Sequence, residues 1–271
     1  MITNCEVIGN LAIVAGGNGW AGGGGVILSW GGEIYNSQIV SNVLKSEGNA
    51  AHGGGIYVYD SSCNSKIWNS VISANTQTFI TASANGTGGI SLNYGGSVRN
   101  CVISKNGTGP GTFAYANGIY MRANGTIENC TIMDNNGAGL AGFGYSTYAP
   151  RWPGILLNCI VQSNYSYGAV TNWYIDSNTT NLNITNSCMD LTNFPANVHS
   201  SGCITSSPQV VNFAGGNYRL SANSPCVNAG TNQTSWMTTG VDLDGRTRIR
   251  YGRVDMGAYE CIYEGTIFRF H

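Results

Sequence analysis

Ile2-Thr3-Asn4-Cys5, Ile34-Tyr35-Asn36-Ser37, Ile67-Trp68-Asn69-Ser70, Val98-Arg99-Asn100-Cys101, Ile127-Glu128-Asn129-Cys130 and Leu156-Leu157-Asn158-Cys159 are six spellings of one phrase. Each holds an apolar residue, a variable residue, Asn, and then Cys or Ser. A second Asn follows six positions after the first, at Asn10, Asn42, Asn75, Asn106, Asn135 and Asn164. A degenerate seventh copy stands at Ile184-Thr185-Asn186-Ser187. The first Asn advances by 32, 33, 31, 29, 29 and 28 residues. A period of this size marks an architecture in which each repeat is one small unit that buries its apolar face only by stacking on the next.

About ten residues upstream of the phrase runs a second motif in the same phase, Gly followed by alternating apolar and variable positions. It reads Gly25-Val26-Ile27-Leu28, Gly55-Ile56-Tyr57-Val58, Gly89-Ile90-Ser91-Leu92 and Gly118-Ile119-Tyr120-Met121, with a merged copy at Gly154-Ile155. Each repeat therefore holds two or three short period-2 strands between Gly/Asn turns, and none carries helical periodicity. The expected fold is all-β, a right-handed parallel β-helix of about 6–7 rungs, with strands ~4.8 Å apart along the axis and the hand set by strand twist. A propeller blade needs ~40 residues or more, longer than this repeat.

Alternation assigns the faces. Val26, Ile56, Ile90 and Ile119 form one inward column, Leu28, Val58, Leu92 and Met121 a second, and Ile34, Ile67, Val98 and Ile127 a third. Asn36, Asn69, Asn100, Asn129 and Asn158 fall where a strand bends, a place that suits Asn because it tolerates left-handed geometry; an amide ladder along the stack is expected there.

Composition agrees with this architecture. Of 271 residues, 39 are Gly and 32 Asn, only 9% are charged, and 42% are hydrophobic. Helix builders are scarce, so a helical bundle is excluded. The net charge of −1 excludes a nucleic-acid partner, which needs a basic footprint. The longest apolar runs, such as Leu11 to Ala15, are too short for a transmembrane segment.

After Asn186 the period is lost, so residues 1–188 are read as rungs and 189–271 as an irregular C-terminal cap. The tail contains Gly216-Asn217-Tyr218-Arg219-Leu220, Ser224-Pro225-Cys226-Val227-Asn228-Ala229-Gly230, Asp242-Leu243-Asp244-Gly245 with Arg248, and Val254-Asp255-Met256-Gly257-Ala258-Tyr259-Glu260. These strings resemble the C-terminal signature of bacterial β-helix proteins of the choice-of-anchor Q kind, and the upstream repeats look like that family's rungs. The resemblance implies a pectin-lyase-like fold, a bacterial source and a secreted or cell-surface location; it implies no particular activity. The chain opens in mid-rung with no leader and ends soon after Glu260 without an anchor, which reads as a fragment or as export information lying elsewhere. An open first rung is expected to self-associate with another chain or to need a cap.

Nine cysteines are present. Cys5, Cys101, Cys130 and Cys159 share one repeat position with Ser37 and Ser70, as small core residues do. In the tail, Cys188 with Cys203 is the expected disulfide if the setting is extracellular. Asp242-Leu243-Asp244-Gly245 looks like the start of a calcium loop, yet an EF-hand needs more oxygen ligands and a closing Glu, so calcium and other cofactors are not predicted. Asp242, Asp244, Asp255 and Glu260 are expected instead to hold Arg246, Arg248 and turn amides in the cap. His52 and His199 stand alone, without a paired motif.

The outward columns carry the candidate chemistry. One reads Ile27, Tyr57, Ser91, Tyr120; its neighbour reads Ser29, Tyr59, Asn93, Arg122; across the next turn stands Tyr35, Trp68, Arg99, Glu128. Aromatic residues at rung spacing beside Arg and Asn suit sugar rings, which pack C–H faces on the aromatics and bond their hydroxyls to the polar neighbours. Tyr35, Tyr57, Tyr59, Trp68, Arg99, Tyr120, Arg122 and Trp152 are the candidate substrate-binding residues. Trp152 lies in the long loop from Asn136 to Pro153 with Phe143, Tyr145, Tyr148 and Arg151; this loop, with Phe79, Phe113 and Tyr115, is expected to wall a groove. Glu33, Asp60 and Glu128 are the candidate catalytic acids of a glycoside hydrolase, which needs two carboxyls roughly 5 to 9.5 Å apart. Lys66 and Arg99, one rung from Glu33 and Glu128, also allow plain ion pairs. The expected partner is a polysaccharide; the alternatives are a non-catalytic glycan-binding, adhesive or structural module, and a lyase using Tyr120 as base with Arg99 or Arg122.

Overall fold

A computed structural model describes residues 1–14, 21–47, 51–60, 62, 64–79, 86–109, 116–122, 125–142, 154–166, 169–175 and 181–262. Phe113, Tyr115, Phe143, Tyr145, Tyr148, Arg151 and Trp152, expected to border a groove, lie outside the described residues.

The turns of the chain visit three sheets in order, and the first turns visit a fourth as well. The first sheet stacks Val26–Ser29, Ile56–Tyr59, Ile90–Leu92, Ile119–Met121, Leu140–Gly142 and Trp173–Ile175. The second stacks eight strands, among them Glu33–Tyr35, Lys66–Trp68, Ser97–Arg99 and Thr126–Glu128, and ends at Val198–Ser201. The third runs from Glu6–Ile8 through Gln38–Val40, Val71–Ser73, Val102–Ser104, Thr131–Met133 and Ile160–Gln162 to Cys188–Met189. The fourth holds Leu11–Val14, Val43–Ser46, Thr76–Phe79 and Gly107–Thr108. The result is a parallel β-solenoid of about five turns, slightly fewer than the six to seven rungs expected, because the end turns are partial. Stacked strands also run on to Ser201, beyond the loss of sequence period at 188. No helix among the described residues is long and apolar enough to cross a membrane.

Register follows the inward columns. Ile56 pairs with Ile90 and Ile90 with Ile119, and all three are fully buried. Ile34, Ile67, Val98 and Ile127 stack likewise, and a further column, Ile39, Ile72, Ile103 and Ile132, lines the third sheet. Glycine before the first-sheet strands is required by close backbone stacking: a Cβ on Gly89 would collide with the Gly118 carbonyl, and one on Gly118 with the Gly139 carbonyl. In the first rung Ile8, Leu11 and Ile13 are exposed.

Two left-handed bends flank each third-sheet strand. The first is the Asn of the phrase, with φ of 44–55° from Asn4 to Asn186; the second is Ser41, Ala74, Lys105, Asp134 or Ser163, with φ of 54–59°. The continuous amide ladder stands on the second Asn of each repeat, not the first. The backbone N–H and side-chain Nδ2 of Asn42 both donate to Asn75 Oδ1 at 3.0 Å, and the pattern repeats from Asn75 to Asn106 to Asn135 to Asn164. These side chains point inward and are almost wholly buried, so each must be paired, and each also donates to a core carbonyl such as Ile72 O from Asn106. In the first Asn column only Asn100 to Asn69, at 2.9 Å, and Asn158 to Asn129, at 3.4 Å, bond along the stack, because these amides face the cap.

The cap is built as expected around buried charge. Asp242 accepts backbone N–H bonds from Asp244, Arg246 and Glu260; Asp244 holds Arg219 and Arg246; Asp255 accepts from Asn228 and Cys261. Arg248 is fully buried with its Nε 3.2 Å from Glu260 Oε1. The Cys188–Cys203 bridge is not formed: both thiols are free. Cys203 instead continues the Cys/Ser column, its thiol directed at the Ile184 and Ser201 carbonyls as Cys159 is at Ile127 and Leu157.

Candidate functional site

The outward columns form in the expected register, but they hold two different kinds of surface. On the second sheet, Tyr35, Trp68, Arg99 and Glu128 stack in order. Tyr35 meets Trp68 edge-on at 5.2 Å. The guanidinium of Arg99 lies 4.2 Å over Trp68 and 4.7 Å over Trp236, which the cap brings in on a 3-10 turn, Ser235–Thr238. Arg99 Nε donates to Glu128 Oε2 at 2.7 Å, and Trp236 Nε1 donates to the same oxygen at 3.2 Å. The upper half of this column is thus closed by the cap, and an aromatic ledge of half-buried Tyr35 and Trp68 remains at the surface.

The three candidate acids are not brought together. Glu33 accepts from Lys66 Nζ at 2.7 Å. Glu128 is three strands further along the same sheet, about 14 Å away or more at ~4.8 Å per strand. That exceeds the reach of a hydrolytic pair, and Glu128 is buried under Trp236. Asp60 is buried in the corner between the first two sheets. It accepts from the backbone N–H groups of Gly31, Ser62, Asn64 and Ser65 and from the hydroxyls of Ser62 and Ser65. Burial alone would raise its pKa, but these bonds outweigh it and hold the carboxyl at about 2. Each acid is committed to a structural partner.

On the first sheet, Tyr57, Ser91 and Tyr120 are in register on the outer face, yet all three are buried. His52 enters from the short strand Ala51–His52, which pairs with Ala21–Gly22 in the rung below. Its imidazole stacks on Tyr57 at 5.9 Å and on Tyr120 at 6.0 Å. Burial, with the charge of Arg122 second, lowers His52 to about 4, so the ring is neutral at physiological pH. Arg122 Nη1 donates to Asn93 Oδ1 at 3.0 Å. Beside this cluster, Tyr59 is 48% exposed and meets Tyr94 edge-on at 5.1 Å, and Trp30 is 82% exposed at the next bend.

Two hydroxyls in this cluster, Tyr57 Oη and Ser91 Oγ, are buried and have no hydrogen-bond partner. An orphaned buried hydroxyl costs roughly 1–3 kcal/mol, so the two on adjacent rungs of this outer face lack a polar partner that the described residues do not supply. Burial pushes the Tyr57 hydroxyl well above its ordinary pKa, so it is a donor and not a base. The structure therefore brings together Tyr57, Tyr59, Tyr120 and Arg122, and separately Tyr35, Trp68 and Arg99. His52, Tyr94, Trp30 and Trp236 belong beside them and were not expected. His52 had a usable signal, since it occupies the rung position filled by Gly22 below. Trp236 had none, because its contact with Glu128 spans 108 residues. Among the described residues no cluster of His, Cys, Asp or Glu could hold a metal ion.

Fold and site together define a parallel β-solenoid with an aromatic, hydroxyl-lined outer face. No protein-family profile, curated protein or solved structure matches the chain.

Proposed function

We propose that this protein is a glycan-binding β-helix module that holds a neutral polysaccharide against the outer face of its first sheet. The observation that carries the reading is the orphaned pair Tyr57 Oη and Ser91 Oγ, set among the rings of Tyr57, His52 and Tyr120. A sugar both donates and accepts through its hydroxyls and offers apolar C–H faces to rings, so it satisfies both features at once. Exposed Tyr59 and Trp30 extend the same aromatic character to solvent. A neutral ligand fits because the charged side chain of this outer face, Arg122, already donates to Asn93 Oδ1.

Binding without hydrolysis is favoured, because Glu33, Asp60 and Glu128 do not supply a free carboxyl pair. The lyase reading loses Arg99, which is held by Glu128 between two indoles. A secreted or surface-held bacterial protein of the choice-of-anchor Q kind is the setting we infer, resting on the four cap strings, of which Tyr218, Leu220, Cys226, Met256 and Ala258 share one buried cluster. The test is a panel of neutral and acidic polysaccharides assayed for retention and for release of reducing ends. Retention of a neutral glycan without new reducing ends is expected; turnover abolished by Glu33→Gln, Asp60→Asn or Glu128→Gln would restore the hydrolase.

A further inference from the structure

The first Asn of each repeat forms a corner column that the cap reads with its main chain. Nδ2 of Asn100 donates to Val241 O at 2.9 Å, Asn129 to Asp255 O at 3.3 Å, Asn158 to Thr231 O at 2.9 Å and Asn186 to Ala229 O at 3.2 Å. Asn158 is read twice, since the Thr231 N–H also donates to its Oδ1 at 2.8 Å. The tripeptide Ala229-Gly230-Thr231 thereby spans two consecutive Asn residues, its first and third residues each meeting one rung.

Below Asn100 the column continues, but among the described residues the cap stands off from it without bonding its amides. A cleft of about 530 Å³ opens between Asn36, Gln38 and Asn69 on the solenoid and Arg219, Asp244 and Tyr259 on the cap. Among the described residues nothing bonds the Asn36 carboxamide, and Asn69 uses only its Oδ1, as acceptor from Asn100. Asn36 and Asn69 share the left-handed geometry of the residues above them, with φ of 46° and 51°. On the opposite wall the Arg219 guanidinium, stacked on Tyr259 at 4.5 Å, is paired with Asp244, and Asp242 is taken up by the backbone N–H groups of Asp244, Arg246 and Glu260.

We propose that this cleft docks an extended peptide segment from a partner protein, its main chain read by Asn36 and Asn69 as Ala229-Gly230-Thr231 is read by Asn186 and Asn158. The segment carries no charge at this point, since the three charged groups of the wall, Arg219, Asp242 and Asp244, are already satisfied. Its carbonyl oxygens take the vacant Nδ2 donors, and an N–H takes Asn36 Oδ1. This is main-chain recognition of the kind by which extended peptides gain affinity from backbone bonds, displaced from a sheet edge to a side-chain ladder. It is independent of the carbohydrate reading, which concerns another sheet.

The test uses a fluorescein-labelled hexapeptide copying residues 228–233 of the chain, titrated into the intact protein by anisotropy, with a neutral oligosaccharide in a parallel titration. Saturable peptide binding is expected, weakened at least tenfold in an Asn36→Asp/Asn69→Asp variant and unchanged in Asn4→Asp, which lies outside the cleft. Aspartate keeps the size and the tolerance of positive φ while removing the donors. In the unsubstituted protein, the side-chain amide resonances of Asn36 and Asn69 shift on adding peptide, a readout that needs no variant to fold. Absence of saturable binding, binding indifferent to the double substitution, or the same amides shifting with oligosaccharide and not with peptide would each overturn the proposal.

Discussion

The imidazole of His52 and the phenol ring of Tyr120 lie 6.0 Å apart with their planes 14° from parallel, although 68 positions separate them in the chain. Tyr57, two rungs below Tyr120, stacks on the same imidazole. The small side chain of Ser91, on the rung between them, leaves room on the outer face for a ring. This packing excludes water from the imidazole, and its electrostatic consequence is measurable.

His52 is held at about 4 when folded and titrates near 6.5 when unfolded. Between those values the unfolded chain binds the extra proton, so stability falls as pH drops through the window, by up to about 3 kcal/mol. As pH is lowered from 7 to 4, the denaturation midpoint of the wild type should fall relative to that of His52→Gln. Comparison with the variant is needed because Glu260 titrates over part of the same range.

Glu260 acts in the opposite sense. Burial raises it to about 8 against the pull of Arg248, and Asp255 adds to the rise. Its folded pKa lies above the unfolded one, so its contribution is full below about 4.5 and is lost as pH rises through 8. The cap is expected to loosen on the alkaline side, reported by the fluorescence of Trp236, which packs on Arg99. Glu260→Gln, which fixes the neutral form, should remove that alkaline loss.

The inner ladder is expected to be the costliest polar feature to break. Asn106→Ala deletes the acceptor for both donors of Asn75 and the donor to Ile72 O and Asn135 Oδ1. Several buried groups are orphaned at once, and a loss of about 3–5 kcal/mol in urea unfolding is expected. Asn10→Ala, at the partly exposed end of the same ladder, should cost about 1 kcal/mol or less.

Periodicity made the inward columns legible, because a parallel stack places each apolar residue directly over its counterpart one repeat earlier; Ile56, Ile90 and Ile119 needed nothing else. The strand Val43–Ser46 has no such signal, because its inward column is not uniformly apolar: Leu44 stacks on Ala12 below and Gln77 above. The two Asn columns repeat equally well, and only the direction of the side chain, inward for Asn75 and toward the cap for Asn100, shows which one carries the continuous ladder. Glu33, Asp60 and Glu128 were visible as acids, but the turn amides around Asp60 and the indole over Glu128 come from folding, not spacing. Cys203 pairs with Cys188 only on the expectation of an irregular, extracellular tail, while its place in the column depends on a rung that the period does not mark.

The most direct test of the central claim is calorimetric titration of the best-retained neutral glycan into wild type and into a Tyr57→Phe/Ser91→Ala variant. Removing two orphaned hydroxyls should leave the thermal midpoint unchanged or raise it, while affinity for the glycan falls at least tenfold. Equal affinity in both proteins, or no neutral glycan bound by the wild type, would contradict the account.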